Sequence, residues 1–207
     1  MAIKNIIFDL GGVILNLDYS RTQKAFEKLG INSVNSFFSQ AKQSSLFDDF
    51  ETDKSSPDDF RDAIRENTGI TATDAEIDAA WNAMLLDLPP YRLELLKQYR
   101  KTHNLFLLSN TNRIHYPEVD RYLGETFGTP SLEPYFDKLY LSYEIGLRKP
   151  NTDIYEYVLA DADIKAEESI FLDDSIHNLP PAEQVGIKTI FIDRPINKEM
   201  IDAKLRS

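Results

Sequence analysis

Five short apolar runs limit the folds that this chain of 207 residues can adopt. Most of them lack the alternation of apolar and polar residues that marks a sheet with one face in water. Continuous apolar runs are typical of strands covered on both faces, as in a parallel sheet. The runs are residues 3–8, 105–108, 139–141, 170–172 and 189–192.

Segments with apolar residues at helical spacing separate these runs. Three of them are residues 90–101, 154–159 and 179–185. The last is followed by Gly186, which suits the C-terminus of a helix. Strands that alternate with helices predict an α/β fold with a doubly wound parallel sheet.

Residues 16–86 interrupt this alternation, because no strand-like run occurs there. Four helical stretches can be drawn in this insert, at residues 19–29, 33–43, 56–69 and from 73 onward. The third opens with a serine–proline pair followed by acids, and the fourth with a threonine–glutamate capping-box pattern. We therefore expect an α/β core domain of residues 1–15 and 87–207 and a small all-helical domain of residues 16–86. Its natural place is beside the carboxyl end of the first strand, where open α/β sheets bind ligands.

Charge and composition exclude several classes of function. The net charge of −11 and the absence of a basic stretch argue against nucleic acid and anionic membranes as partners. The lack of cysteine excludes disulfides, thiolate zinc sites and thiol catalysis. No stretch approaches the ~18–20 apolar residues of a membrane span, and the first apolar run is too short for a signal peptide. We expect a cytoplasmic protein, and the sequence does not indicate its oligomeric state.

The densest acidic patch is "DDFETDKSSPDD", residues 48–59. Charge runs of this kind are usually solvated. We expect a solvated loop followed by the start of a helix.

Polar side chains follow the apolar runs at comparable positions. Each has an ordinary interpretation as a strand stop, a helix cap, a surface lysine or a turn. In a parallel sheet, however, the carboxyl ends of the strands meet at one edge, so we expect these side chains to converge. They are Asp9, Ser109, Asn110, Lys149, Asp173 and Asp174.

Such a cluster suits the binding of a cation and a phosphate. Three converging carboxylates repel one another, and a divalent cation relieves that repulsion; oxygen ligands without cysteine favour Mg²⁺. Lys149 supplies a positive charge, and the bare turn at Gly11 and Gly12 lets a ligand approach the backbone and offers N–H groups to an anion. Asp9, held at a strand end, can attack phosphorus as a covalent nucleophile.

Four motifs in order resemble those of the haloacid dehalogenase (HAD) superfamily, over essentially the whole chain. They are "FDLGGV", "LLSNTN", "RKP" and "FLDDS". The resemblance implies a Rossmann-like core, and the insert at residues 16–86 resembles the helical C1-type cap that covers the active site of this superfamily.

The resemblance also implies roles for the residues around the cation. Asp9 would be both nucleophile and metal ligand, and the main-chain carbonyl of Gly11 would bind the metal. Asp174 would be a direct ligand, and Asp173 either a nearby ligand or an acid behind the ligands.

A further set of residues would hold the substrate. Ser109, Asn110 and Lys149 would bind the phosphate, with Lys149 also restraining Asp9. Gly12 would contribute through the bare turn, and Arg113 could contact the substrate.

One position departs from the usual pattern. Family phosphatases carry a second aspartate two residues after the nucleophile, as general acid and base, and here that position is Gly11. A subgroup with this D-x-G pattern includes glucose-1-phosphate phosphatases, whose anomeric leaving group depends less on an acid. We therefore expect a Mg²⁺-dependent phosphomonoester hydrolase acting on a small sugar phosphate such as a hexose 1-phosphate.

Two other functions remain open. A 2-haloacid dehalogenase-like hydrolase would share the Asp9 nucleophile but need no metal, whereas the acid pair at residues 173–174 favours one. A non-catalytic HAD-like module would bind a phosphorylated ligand or a partner through its cap.

Several other residues lie close to the motifs. We expect His115 in a solvated loop, although it could face the site, and His177 in solvent or bonded to backbone. Tyr116 and Tyr143 are expected in packing roles, and Trp81 in the core of the helical insert.

Overall fold

A computed structural model describes residues 2–31 and 45–205, and in these residues five strands form one parallel sheet. The spatial order is β3-β2-β1-β4-β5, so the first strand lies in the centre. All five apolar runs are strands, and the predicted doubly wound α/β fold is confirmed. The strands are β1 Asn5–Phe8, β2 Asn104–Ser109, β3 Lys138–Leu141, β4 Ser169–Asp173 and β5 Lys188–Phe191.

Ten α-helices accompany the strands in the described part of the chain. They are α1 Tyr19–Lys28, α2 Ser45–Glu51, α3 Pro57–Thr68, α4 Asp74–Asn82, α5 Pro90–Tyr99, α6 His115–Phe127, α7 Ser142–Ile145, α8 Thr152–Asp161, α9 Leu179–Gln184 and α10 Lys198–Leu205. None of the helices in residues 2–31 and 45–205 is long and apolar enough to cross a membrane.

Alternate residues of the strands pack on opposite faces of the sheet. Ile6 and Phe8 lie in one apolar cluster together with side chains of α5, α6 and α10. Ile7 and Phe171 lie in a second cluster, with side chains of α8 and α9. Because both faces are covered, the strands carry apolar residues at nearly every position.

The helices of the insert pack around an apolar cluster of their own. Phe26, Phe50, Phe60 and Trp81 are all buried there, which confirms the packing role predicted for the tryptophan. The division of the chain into a core domain and a cap domain of residues 16–86 stays a prediction.

Local capping explains where two insert helices begin. Thr73 and Glu76 form the predicted capping box at the start of α4. Helix α3 begins after the serine–proline pair, as predicted, and Ser56 and Asp59 form a capping box there as well. The helix expected at residues 33–43 lies outside the described residues.

The acidic patch at residues 48–59 differs from expectation in its first half. Residues up to Glu51 belong to helix α2 and not to a solvated loop. The reason is that Phe47 and Phe50 alternate with the acids and are buried in the insert cluster. The second half does contain the start of α3, as predicted.

Candidate active site

Lys149 joins two strand ends at the carboxyl edge of the sheet. Its Nζ lies 2.7 Å from Oδ1 of Asp9, which follows β1, and 2.8 Å from Oδ2 of Asp173, which ends β4. The lysine is only 2% exposed, and both acids are buried. The structure thus brings together three predicted residues, of which Asp9 and Lys149 are 140 positions apart and Lys149 and Asp173 a further 24.

Hydrogen bonds fix each member of this trio. The Asp9 N–H donates to the carbonyl of Leu172 across the β1–β4 pair, at 2.9 Å. Asp173 accepts from the N–H of Ser175 at 2.7 Å and from the Asn178 amide at 2.9 and 3.0 Å. With Lys149 added, both carboxylate oxygens of Asp173 accept hydrogen bonds, and a role of this acid as a metal ligand stays a prediction.

Asn110 positions Lys149 through the main chain. Its Oδ1 accepts from the Lys149 N–H at 2.9 Å, and its Nδ2 donates to the Lys149 carbonyl at 2.8 Å. The amide is therefore committed to the lysine in this structure, and a direct role in phosphate binding stays a prediction.

The bare turn after β1 makes room for Asp174. Gly12 has φ +73°, in the left-handed region, and a Cβ added there would lie 2.1 Å from Oδ2 of Asp174. Its N–H donates to the carbonyl of Leu15 at 2.8 Å, so a role in anion binding stays a prediction. Because Gly12 has no side chain, the Asp174 carboxylate can occupy the space beside this turn.

Gly11 meets a different obstacle. A Cβ at this position would lie 2.6 Å from Cδ1 of Leu17. The side chain of Leu17 therefore lies in the space into which the second aspartate of family phosphatases would extend from this position.

The electrostatics of the cluster favour an added positive charge. The pKa of Asp9 is raised to about 8: burial is the largest cause, Lys149 lowers the pKa, and the charges of Asp173 and Asp174 add to the rise. Burial, followed by the charge of Asp173, raises the pKa of Asp174 to about 6. Burial alone would lower the pKa of Lys149, but Asp173 and Asp9 raise it above its ordinary value.

The donor set fits a hard divalent cation. Asp9, Asp173 and Asp174 each offer a carboxylate oxygen, and these oxygens lie within 4.8 Å of one another. In residues 2–31 and 45–205 this is the only such group of three acids or histidines. Ser109 is also buried at this edge, at the end of β2, with its hydroxyl 3.5 Å from the Asn110 carbonyl.

Arg113 lies at the border between core and insert. It is exposed and forms a bidentate ion pair with Asp53, in the turn after α2, at 2.5 and 2.9 Å. A contact between Arg113 and substrate stays a prediction.

The expectation of a solvated His115 is wrong. The residue begins α6, and its ring stacks on Trp81 with centroids 4.7 Å apart. Its Nδ1 bonds the Asn82 side chain at 2.8 Å, and burial lowers the pKa of the imidazole to about 3. The insert supplies both partners, which no local signal near residue 115 could have indicated. Tyr116 and Tyr143 are buried, as their packing roles require, and His177 is exposed.

Sequence reasoning missed the buried ion pair beside the lysine. Arg148 contacts Glu51 at 2.8 Å and Asp48 at 2.8 Å, both on α2 of the insert. Burial raises the pKa of Glu51 against the opposing effect of Arg148. The arginine stands inside the "RKP" motif, but its partner lies 97 positions away, so the motif alone gives no signal for the contact.

Comparison with known proteins agrees with this geometry. A family model described as haloacid dehalogenase-like hydrolase matches residues 3–186. The chain belongs to this family. The predicted superfamily and the expectation of a hydrolase are thereby confirmed.

Relatives of this HAD-like hydrolase resemble it over most of their length. A D-ribitol-5-phosphate phosphatase of Bacteroides thetaiotaomicron is 33% identical over 187 residues, which are 90% of each chain. A HAD family enzyme from the same organism, solved with magnesium and inorganic phosphate, is 37% identical with a TM-score of 0.85, covering 96% of this chain and 98% of that one. A predicted HAD-like family hydrolase from Porphyromonas gingivalis is 30% identical with a TM-score of 0.89, and all of both chains is covered.

Proposed function

We propose that this HAD-like hydrolase is a Mg²⁺-dependent phosphatase that acts on a small phosphorylated metabolite through an aspartyl-phosphate intermediate. The observation that carries the proposal is the buried carboxylate of Asp9, bonded to Lys149 and within 4.8 Å of two further acids. The phosphatase relative, and the related structure that holds magnesium and phosphate, support the same reading.

The cation would be held by Asp9, Asp174 and the main-chain carbonyl of Gly11. When bound, Mg²⁺ would offset the repulsion between the acids and the charge of the phosphate. Asp173, already bonded by Ser175 and Asn178, holds Lys149 in place.

The chemistry would proceed in two displacements at phosphorus. A carboxylate oxygen of Asp9 forms a bond to phosphorus while the ester P–O bond breaks, and the leaving alkoxide takes up a proton from solvent water, because Gly11 stands in the place of the usual acid. Water then attacks the acyl phosphate, which releases inorganic phosphate and restores the Asp9 carboxylate. Lys149 and the Ser109 hydroxyl, both buried, would donate to the phosphoryl oxygens, so positioning and charge stabilisation would dominate catalysis.

The test is phosphate release from a panel of phosphorylated metabolites, with Mg²⁺ and with a chelator. We expect turnover that requires Mg²⁺ and falls by ~10⁴-fold or more in Asp9→Asn, because the covalent step is lost. Unchanged thermal unfolding of the variant would show that it is folded. Halide release that survives the chelator would establish the dehalogenase alternative. Absence of any metal-dependent turnover in the wild-type chain would favour the binding module.

The leaving group is the finer part of the proposal. A hexose 1-phosphate suits an enzyme with Gly11 in place of the usual acid, since general acid–base help is worth ~10²–10⁴-fold in rate. The relative named for D-ribitol 5-phosphate adds open-chain sugar-alcohol phosphates to the panel. Higher kcat/KM on a hexose 1-phosphate than on a polyol phosphate would support the first choice, and the reverse order would replace it with the second.

Restoring the acid provides a direct check on this reasoning. Gly11→Asp is best combined with Leu17→Ala, because the added Cβ would otherwise lie 2.6 Å from Leu17 Cδ1. We expect the double variant to gain most on substrates with poor leaving groups, relative to Leu17→Ala alone. Equal effects on good and poor leaving groups would remove the argument from leaving-group chemistry.

The helical insert would serve as the cap that selects the leaving group. Its ties to the core, Arg148 with Glu51 and Arg113 with Asp53, start from segments that follow β3 and β2 and adjoin the site. A cap that opens and closes over the substrate would use these ion pairs in its closed form. We also propose a cytoplasmic location.

A further inference from the structure

A cavity lies beside β3, the outermost strand on one side of the sheet, and none of the candidate active-site residues lines it. It has a volume of about 660 Å³ and is formed by α6, the segment before β3, β3 itself and α7. Its polar and aromatic lining includes Tyr116, Asp120, Glu133, Phe136, Tyr143 and Glu144. A cavity of this volume is within the range of small-molecule sites.

Two buried polar atoms at this cavity have no partner. The hydroxyl of Tyr116 and Oδ1 of Asp120 make no hydrogen bond to any of the described residues. Tyr116 is only 6% exposed. Buried polar groups are normally bonded, because leaving one unpaired costs about 1–3 kcal/mol. These atoms therefore point to a ligand that donates hydrogen bonds.

The surroundings of the two atoms are negative. Burial and the acidic neighbours Asp120, Glu133 and Glu144 raise the pKa of the Tyr116 hydroxyl above its ordinary value. Burial, and then the charge of Glu133, raises the pKa of Asp120 to about 6. The charges that act on the Tyr116 hydroxyl and on the Asp120 carboxylate are therefore those of acidic neighbours that line the same cavity.

The cations close to the cavity are already engaged. Lys138 lines it through β3, but its ammonium bonds Asp161 at 2.5 Å, on the face of the sheet covered by α8. Arg113 lies 5.2 Å from the Tyr143 ring and is paired with Asp53. A fourth acid, Asp137, is satisfied by the Leu105 N–H and by Arg100.

The spacing of the acids disfavours a metal ion. Within the described ranges, the acids at this cavity do not come together as three ligands within 4.8 Å, as Asp9, Asp173 and Asp174 do. Acids that lie apart suit a ligand whose positive charges are also separated along its length. The rings of Tyr116 and Tyr143, with centroids 6.5 Å apart, add faces that attract organic cations.

We propose that this cavity binds a linear organic polyamine with at least two ammonium groups. One ammonium would donate to Asp120 and the Tyr116 hydroxyl, and another to Glu133 or Glu144, with the alkyl chain against the tyrosine rings. The site goes beyond the proposed phosphatase activity and does not depend on it.

Calorimetric titration of the full chain with spermidine, in buffer that contains Mg²⁺, tests the proposal. We expect saturable binding with one spermidine per chain. Asp120→Asn should weaken it by ~10-fold or more and Tyr116→Phe by ~3–10-fold, since each removes one polar contact to a charged group. Glu167→Gln removes the same charge from an exposed acid outside the cavity and should change the affinity less than about twofold.

Other outcomes would overturn the proposal. Equal weakening by Glu167→Gln and Asp120→Asn would show only general attraction to an acidic protein. Binding that appears only after Mg²⁺ is removed with a chelator would show a metal site, and absence of saturable binding with and without Mg²⁺ would show no polyamine site. Tyr116→Phe keeps the ring, and its thermal unfolding reports on folding independently of binding. Binding to the Asp9→Asn chain should match the wild type, so failure of the phosphatase proposal would leave this result intact.

Discussion

The carboxyl edge of the sheet and the helical insert are held together in opposite ways. At the edge, Asp9, Lys149 and Asp173 are buried and bonded to one another at 2.7 and 2.8 Å. The insert is held by an apolar cluster of its own, and two arginines of the core, Arg113 and Arg148, form ion pairs with it. Apolar packing tolerates some repacking, whereas a buried charged cluster is left with an unpaired charge when any one member moves.

The two arginine ties are themselves unequal. The side chains of Arg148 and Glu51 are 10% and 14% exposed, while those of Arg113 and Asp53 are 48% and 38% exposed. Exposed pairs contribute little, and a buried pair costs much when one partner is removed. Of these two ion pairs, the buried Arg148–Glu51 pair is therefore expected to contribute more to the position of the insert than the exposed Arg113–Asp53 pair.

The largest effect is expected from Lys149→Met, which removes the charge at the centre of the edge cluster. Asp9 and Asp173 would then be buried without their partner, so stability should fall by about 3–5 kcal/mol and turnover by ~10³-fold. Denaturant unfolding and phosphate release measure the two losses. Lys97→Met, in an exposed pair with Glu94, should cost less than about 1 kcal/mol. Similar losses in both variants would show that the buried cluster at the sheet edge contributes no more than an exposed ion pair.

Gly12→Ala tests whether the edge tolerates one added carbon. The new Cβ would displace Asp174, so we expect the Mg²⁺ concentration for half-maximal activity to rise ~10–100-fold. Gly128→Ala is the matched control, because its φ of +68° is equally unfavourable for alanine but nothing lies within 4 Å. Both variants should lose about 1–2 kcal/mol of stability from backbone strain. An unchanged Mg²⁺ requirement in Gly12→Ala would show that Asp174 is not a ligand.

The buried tie between insert and core is expected to matter less for turnover. Glu51→Gln removes the charge opposite Arg148, and we expect kcat/KM to fall by about tenfold, mainly through KM. Asp53→Asn removes the exposed charge opposite Arg113 and keeps a residue that tolerates the φ of +59° at this position. Its kcat/KM should change by less than about threefold. Equal effects would show that burial does not distinguish the two ties.

The smallest effect is a pH dependence of stability without metal. The pKa of Asp9 is about 8 in the folded chain against 3.8 ordinarily, so the folded state keeps a proton that the unfolded state loses, and stability falls as pH rises towards 8. His115 acts in the opposite sense, because its pKa of about 3 lies below 6.5 and its contribution rises with pH up to that value.

Between pH 6.5 and 8 the loss of stability caused by Asp9 is therefore no longer opposed by a gain from His115. With a chelator we expect the thermal midpoint to fall by a few degrees over this range, and saturating Mg²⁺ should flatten the profile because it binds ionised acids. Asp9→Asn with chelator serves as the control and should show no fall. A flat wild-type profile with chelator would argue against a buried, protonated Asp9.

The strands and the polar residues at their ends could be predicted because their signals are local. Each apolar run is long enough to be recognised, and parallel topology then places Asp9, Lys149 and Asp173 at one edge. The helix starts at Ser56 and Thr73 could be predicted in the same way, since the atoms of each cap lie within four residues.

Contacts between distant segments could not be predicted in this way. Glu51 and Arg148 belong to patterns that are ordinary on their own, and burial is decided only when α2 reaches the core. The same applies to His115, whose partners lie on α4 and at its end, and to Asn110, whose amide bonds the Lys149 main chain. Sequence patterns identify which groups are polar, whereas tertiary packing decides what each of them bonds.

The adjacency of Arg148 and Lys149 has a consequence for how this chain can change. The arginine bonds Glu51 of the insert, and the very next side chain bonds Asp9 and Asp173 of the core. Adding or deleting one residue just before this pair would offer the wrong cation to one partner and no cation to the other. We expect the stretch between β3 and α8 to keep its length among functional variants, even where its composition drifts.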